Sequence, residues 1–484
     1  MPMLKQFLNI IFLFILMGNP VFAHNANPRY HVIVDTDGDL SDMRAISMLL
    51  AGNDIRVLAV SCSHGTLTPE QTYQKVKGIL HGFYHEGIPA GIVNGAGTRA
   101  SSSSSFDDEI PWSYEETISN FNHYPDSEKL LTDILEKYET KINLIALGSL
   151  DTYYAVLKSR PDLQNHVERI IWFKNGLSEE KADSPESYRY LKDSGIRLDL
   201  VSNNNRHLII DKNYLGEIKN TNSIYARQIE YVHNHPPVSK KLNNSLLHMG
   251  EDLAPLYLTV PIIFDVNVQE NIHSASINLN IPADFINEAI ATLLKSTTAV
   301  NNRVFIDFPV DQNLYQPGYA EILDSTLKKF GPVEWKAICL TNEIHGHTGI
   351  YSIIGAKMGI RAMEYFNIGI NNLKITSFAG NKPPLSCFND GLQISTGSTI
   401  GQGLITISDS VNNVPGAVFE FNGREVHISL KPEIAAQMKK EIKYGVENYG
   451  LENPEYWRYI EKLAMQYWTE MDRHKIMVID KNSY

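Results

Sequence analysis

An α/β architecture is predicted: an open, mostly parallel sheet with helices on both faces, followed by a smaller α+β domain. Three observations predict it. From residue 31 to about residue 202, short apolar runs alternate with helix-length stretches whose apolar positions recur every three to four residues. Strand, helix, strand at this spacing makes βαβ units, and hence parallel pairing through right-handed crossovers. A chain of 484 residues is also longer than one ordinary hydrophobic core serves. Finally, the texture changes beyond Gly331-Pro332, where a glycine-spaced helix, a strand and a glycine-rich segment replace the alternation.

The elements follow in order. HVIVDTD at 31–37 reads as a buried strand, MRAISMLLA at 43–51 as a helix and IRVLAVSCS at 55–63 as the second strand. A helix over 69–84 and a short strand over 88–92 continue the pattern, and the serine-rich stretch 97–112 reads as a mobile loop. INLIALG from 142, a helix over 150–158, RIIWFKNG from 169, a helix over 185–194 and IRLDLVS from 196 complete the alternation. Residues 205–300 read as mainly helical, with polar interruptions at 234–237 and 267–280. A helix over 320–330 runs into Gly331-Pro332, which sets the expected boundary between a domain of residues 28–330 and one of residues 333–484. Past that boundary a helix over 349–366 and the strand LKITSFA are expected, and the last 50 residues return to helix.

Residues 1–23 carry one lysine, Lys5, then a mostly apolar run and Val21-Phe22-Ala23, the pattern of a cleaved signal peptide; a retained anchor is the alternative. Export to the periplasm or the medium is therefore expected, with no membrane association after cleavage. A formal net charge of −12 excludes a nucleic-acid partner recognised through phosphate neutralisation. Three cysteines, Cys62, Cys339 and Cys387, make no disulfide framework.

VDTDGDLSDMRA at 34–45 is the most informative segment, with Asp35, Asp37, Asp39 and Asp42 crowded into the turn after the first strand. In open α/β sheets, ligands bind beyond the carboxyl ends of the strands, where this turn must lie. Like charges so close need a cation, and hard oxygen donors suit Ca²⁺ or Mg²⁺ rather than zinc. Spacing alone equally allows aspartates that cap the helix or shape the turn.

This stretch resembles the D-x-D-P-G-x-D-D signature of the inosine/uridine-preferring nucleoside hydrolases. INLIALGSLDTYYAVL from Ile142, DSPESYRYLKDSGIRLDLV from Asp183 and MGEDLAPLYLTVPIIF from Met249 are similar to later segments of that family, in its order. The resemblance implies hydrolysis of the N-ribosidic bond of a nucleoside or related ribosyl compound, a Ca²⁺ cofactor and a possible homo-oligomer. It makes Asp37 the metal-bound general base, with Asp42, Asp252 and the main-chain carbonyl of Asp151 as further ligands. Asp35, Ser41, Thr66 and Glu251 fall at positions that orient the site or contact substrate. Ser41, Thr66 and Glu251 depart from the family's residues there. A different substrate follows from those departures, or a binding protein that captures a sugar or polyol.

EIHGHTGIYSIIGAKMGIRAMEYF from Glu343 and CFNDGLQISTGSTIGQGLI from Cys387 resemble the formylmethanofuran dehydrogenase E-subunit-like domain. His345, His347 and Cys387 are donors of the kind zinc or another transition metal prefers. Gly349 and Ser398 stand where that domain has further cysteines. The residues read equally well as a helix-capping histidine and a core cysteine, and a third functional reading lets this half carry the activity.

Overall fold

The computed structural model describes residues 28–94, 104–112, 123–174, 185–203, 208–221, 223–295, 304–305, 307–408 and 414–480. The signal-peptide segment therefore lies outside the described residues. Two sheets organise the chain. The first has eight strands: β1 (Tyr30–Thr36), β2 (Ile55–Cys62), β3 (Ala90–Ile92), β4 (Ile142–Ala146), β5 (Val167–Phe173), β6 (Leu198–Ser202), β7 (Phe264–Gln269) and β8 (Ile272–Ile277). Their order is β3-β2-β1-β4-β5-β6-β8-β7, parallel throughout except for the edge strand β7. The predicted open, mostly parallel sheet is thus observed.

Strands buried on both faces need helices on both faces. In β1, Val32 and Val34 join the core under the Leu40–Ala51 helix, while Ile33 faces the opposite core with Leu144, Tyr153 and Trp172. From β1 the chain runs outward through β2 and β3 and then returns to β4 on the other side of β1. The crevice beyond the ends of β1 and β4 is therefore the topological switch point, where ligands bind in such sheets.

Two elements differ from the sequence reading. The polar interruption at 267–280 is largely a β7–β8 hairpin, turned at Glu270, whose φ is +54°. Its polar residues alternate with Val266 and Val268 on an exposed edge, so no apolar stripe marks it. The expected boundary at Gly331-Pro332 is a kink inside the Pro317–His345 helix, with Gly331 at φ +84°. Leu323, Tyr315 and Phe308 already pack on the C-terminal core, so that unit begins before the kink.

The second sheet contains β9 (Lys374–Ser377), β10 (Ile405–Ile407), β11 (Gly416–Phe421), β12 (Arg424–Leu430) and β13 (Met477–Asp480), ordered β10-β9-β11-β12-β13. The closing segment is mostly helical, as read, but ends in β13. The Ile350–Phe366 and Phe388–Thr396 helices touch backbone to backbone, since a Cβ on Gly355 would lie 2.0 Å from the Phe388 carbonyl oxygen. Among the described residues no helix is long and apolar enough to cross a membrane.

The two units meet at residues 84–87. Tyr84 stacks on His474 with ring centroids 3.5 Å apart, and Arg361 holds both Glu86 oxygens at 2.8 and 2.9 Å. His85 is buried here, with Nδ1 2.7 Å from the Glu364 carbonyl and Nε2 2.6 Å from the Tyr225 hydroxyl. A carbonyl only accepts, so Nδ1 carries the hydrogen and Nε2 accepts from tyrosine. Burial lowers the His85 pKa from 6.5 to about 4. Its stabilising effect is complete above about pH 6.5 and is lost as pH falls towards 4, worth at most about 3 kcal/mol. Melting temperature is expected to drop over that interval, and to drop less in His85→Asn; an unchanged slope in the variant would exclude His85 as the cause.

Candidate cation site at the end of β1

The turn leaving β1 is built by hydrogen bonds that only a tightly folded Asp-Gly-Asp allows. Asp42 is buried in the first turn of the Leu40–Ala51 helix, and its Oδ2 accepts from the Thr36 hydroxyl at 2.6 Å and from the Asp37 and Gly38 amides at 3.0 and 3.3 Å. Gly38 has φ +84°, and a Cβ there would sit 2.7 Å from Thr72 Oγ1, so glycine is required. Asp39 caps the helix, accepting the Asp42 amide at 2.8 Å. The turn-shaping alternative thus holds for Asp39, alongside whatever else its carboxylate does. Gly65 makes room for the neighbouring side chain, because a Cβ on it would lie 2.0 Å from Asp37 Oδ2.

Together these contacts gather the carboxylates. Ligand oxygens of Asp37, Asp39 and Asp42 all lie within 4.8 Å of one another. Burial first, and then the Asp39 charge, raises Asp37 to about 6, and the same two causes lead in pushing Asp42 well up. Asp35 is fully buried and raised to about 7, chiefly by burial; Ser63 donates to its Oδ2 at 2.8 Å, while its Oδ1 has no hydrogen-bond partner among the described residues. Crowded carboxylates whose charges are this unfavourable are what a bound cation relieves.

Thr66 hydrogen-bonds Asp37 through both backbone and side chain. Ser41 Oγ lies 2.9 Å from Asp39 Oδ1 and 2.5 Å from Glu251 Oε2. One hydroxyl has one hydrogen, so one of these two carboxyls must donate to Ser41. Burial, and then the Asp39 charge, pushes the Glu251 pKa well up.

Asp252, a sequence-predicted carboxylate ligand, is not one of the three clustered carboxylates, and at Asp151, whose main-chain carbonyl is the predicted ligand, it is the side chain that has another partner. Asp252 is fully buried but faces Arg44, whose Nε and Nη2 reach its two oxygens at 2.8 and 2.7 Å. Asp151 opens the Asp151–Ser159 helix, and its carboxylate accepts from Ser187 at 2.5 Å. The sequence reading misses Arg44, a lone cation inside an apolar helix. It also misses Asp107, whose Oδ1 caps the same helix by accepting the Leu40 amide at 3.0 Å. Asp107 lies in the stretch expected to be a mobile loop. The described part, residues 104–112, is tied down by Lys75, which donates to the carbonyls of Asp108 and Ile110.

In the second unit, His345 Nδ1 is 3.0 Å from Asp390 Oδ2, and its Nε2 is buried with no hydrogen-bond partner among the described residues. The His345 and His347 rings are 4.2 Å apart. Cys387 is half-buried, its thiol pKa raised by burial and then by Asp390. Ser398 donates instead to the Leu373 carbonyl at 2.8 Å. Among the described residues these donors form no group as tight as that of Asp37, Asp39 and Asp42.

Residues 32–174 match the family model of the inosine-uridine preferring nucleoside hydrolases, and residues 344–476 match FmdE, of the molybdenum formylmethanofuran dehydrogenase operon. No curated protein matches the chain. Among solved structures, the purine-preferring ribonucleoside hydrolase from Gardnerella vaginalis is 13% identical, covering 55% of this chain and 99% of its own, with a TM-score of 0.45. The inosine-uridine preferring nucleoside hydrolase from Bacillus anthracis is 14% identical, with coverages of 55% and 99% and a TM-score of 0.42. The type III effector XopQ, solved with adenosine diphosphate ribose, is 11% identical, with coverages of 59% and 96% and a TM-score of 0.46. The chain thus joins an inosine-uridine preferring nucleoside hydrolase-like unit to an FmdE-like unit.

Proposed function

We propose that the protein is a Ca²⁺-dependent hydrolase of N-ribosidic bonds, acting on a nucleoside or a related ribosyl compound. The observation that carries this reading is the convergence of Asp37, Asp39 and Asp42 at the switch point, inside the segment that matches the nucleoside hydrolase model. When bound, Ca²⁺ supplies a site for the sugar's vicinal hydroxyls and lowers the pKa of the attacking water. Asp37 takes the proton of that water as its oxygen bonds to the anomeric carbon. The anomeric C–N bond breaks with its electron pair on the leaving nitrogen, which takes up a proton. The surrounding carboxylates stabilise the oxocarbenium-like sugar. Thr66 orients Asp37. Ser41 and Glu251 line the substrate side.

Export through cleavage of residues 1–23, a homo-oligomeric assembly and a contribution from the Asp151 carbonyl belong to the same proposal. In the second unit, His345, oriented by Asp390 with Nε2 free, would hold zinc or another transition metal together with His347 and Cys387. The alternative of a non-catalytic sugar- or polyol-binding protein is favoured by Ser41 and Glu251, which replace residues expected to read ribose and base.

The test is release of free ribose from a panel of purine and pyrimidine nucleosides, with Ca²⁺ and with a chelator. Turnover that the chelator removes supports the hydrolase. Calorimetric binding of ribose or a polyol, with no turnover of any nucleoside, supports the binding protein.

A further inference from the structure

We infer that Asp39 supplies the third carboxylate of the cation site in place of Asp252, which Arg44 neutralises. This inference rests on the cation reading above and specifies the residues that serve it.

Asp252 is 0% exposed and Arg44 1%, and the guanidinium grips both carboxylate oxygens of Asp252 in a bidentate pair. The Gly250 amide also points at Asp252 Oδ2, from 3.3 Å, and Arg44 Nη2 reaches the His248 carbonyl at 3.3 Å. A carboxylate held this way has its charge met and its oxygens occupied. To ligate a cation it would have to abandon a buried guanidinium, which is strongly unfavourable. Arg44 is fixed in turn by its place in the Leu40–Ala51 helix, one turn beyond Ser41. The late segment is therefore fastened to this helix at two consecutive residues, Glu251 through Ser41 and Asp252 through Arg44.

Asp39 makes up the deficit. It stands where the resembled signature has glycine, and the glycine the turn needs is Gly38 instead. The shift places an extra carboxylate on the turn, with a ligand oxygen within 4.8 Å of those of Asp37 and Asp42. Asp39 is only partly buried, and it is Oδ1 that takes the Asp42 amide at 2.8 Å and lies 2.9 Å from Ser41 Oγ. The late segment no longer contributes a ligand from more than 200 residues away, and the carboxylate ligands come from a single turn.

The experiment is calorimetric titration of the full chain with Ca²⁺, comparing wild type, Asp39→Asn and the double variant R44M/D252N. Asparagine caps a helix as well as aspartate, so Asp39→Asn removes the charge and spares the fold. Replacing both members of a buried ion pair is commonly neutral, and the asparagine introduced by D252N still accepts the Gly250 amide. Asp39→Asn is expected to weaken Ca²⁺ binding at least about tenfold, as loss of a charged ligand does. R44M/D252N is expected to stay within about threefold of wild type, with circular dichroism confirming its fold. Unchanged affinity in Asp39→Asn overturns the inference even if the double variant does not fold; loss of binding in a folded R44M/D252N overturns it too. Absence of Ca²⁺ binding by wild type is a separate result that overturns the cation reading itself.

Discussion

Asp37→Asn is expected to lower nucleoside turnover by about 10²–10⁴-fold or more while leaving the melting temperature within a few degrees of wild type. That range is what loss of a general base alone costs; loss of cation binding adds to it. Asparagine keeps the shape and the ability to hydrogen-bond Thr66, but it neither accepts the water's proton nor carries charge to the cluster. Stability should hold because the carboxylate is crowded by Asp39 and desolvated, so its charge is a burden on the fold, as its raised pKa near 6 indicates. Gly65→Ala is a companion test that leaves the carboxylate chemistry intact. A Cβ 2.0 Å from Asp37 Oδ2 must push that side chain away, so turnover should fall comparably. Steady-state ribose release, read beside thermal melts of both variants, checks the pair. Full activity in Gly65→Ala would mean that the position of Asp37 is not what matters.

Arg44→Met should destabilise the fold by about 3–5 kcal/mol, the usual cost of leaving one member of a buried ion pair alone. Among the described residues, Asp252 would then be a fully buried carboxylate with the Gly250 amide alone to answer it. Adding Asp252→Asn should recover most of the loss, since the charge goes while the amide keeps its acceptor. Urea denaturation of wild type, both single variants and the double variant gives the coupling energy directly. If Arg44→Met costs under about 1 kcal/mol, the guanidinium is not what holds Asp252, and the fastening of the late segment must be sought elsewhere.

Much of the first unit is legible in the sequence, for a physical reason. Strands buried on both faces leave no choice but continuous apolar runs, and β1, β2 and β4 show them. The acidic turn is legible because four carboxylates in eight residues are hard to place anywhere but at a helix start or a cation. Pairings over long separations are not. Nothing in a helix reading MRAISMLLA tells that its arginine meets a carboxylate 208 residues later, so resemblance alone makes Asp252 a ligand. The β7–β8 hairpin is hidden because an edge strand exposes both faces and so carries polar residues that look like loop. At Gly331-Pro332 the usual sign of a break marks a kink instead, since both halves of that helix pack on one core. In the second unit the spacing of histidines and Cys387 points to a polar centre, and the two histidine rings do lie side by side. The Asp390 carboxylate that orients His345 shows in the sequence only as a polar residue near a turn.

The acidic turn after β1 is, on this reading, a working cation site. Ca²⁺ titration of the purified chain beside the variant D37N/D42N tests it without reference to any substrate. About one ion bound per chain through this turn is expected, with loss of that binding in the variant and no loss of helical signal. A wild-type chain that takes up no Ca²⁺, or a D37N/D42N chain that binds it as tightly as wild type, would contradict it.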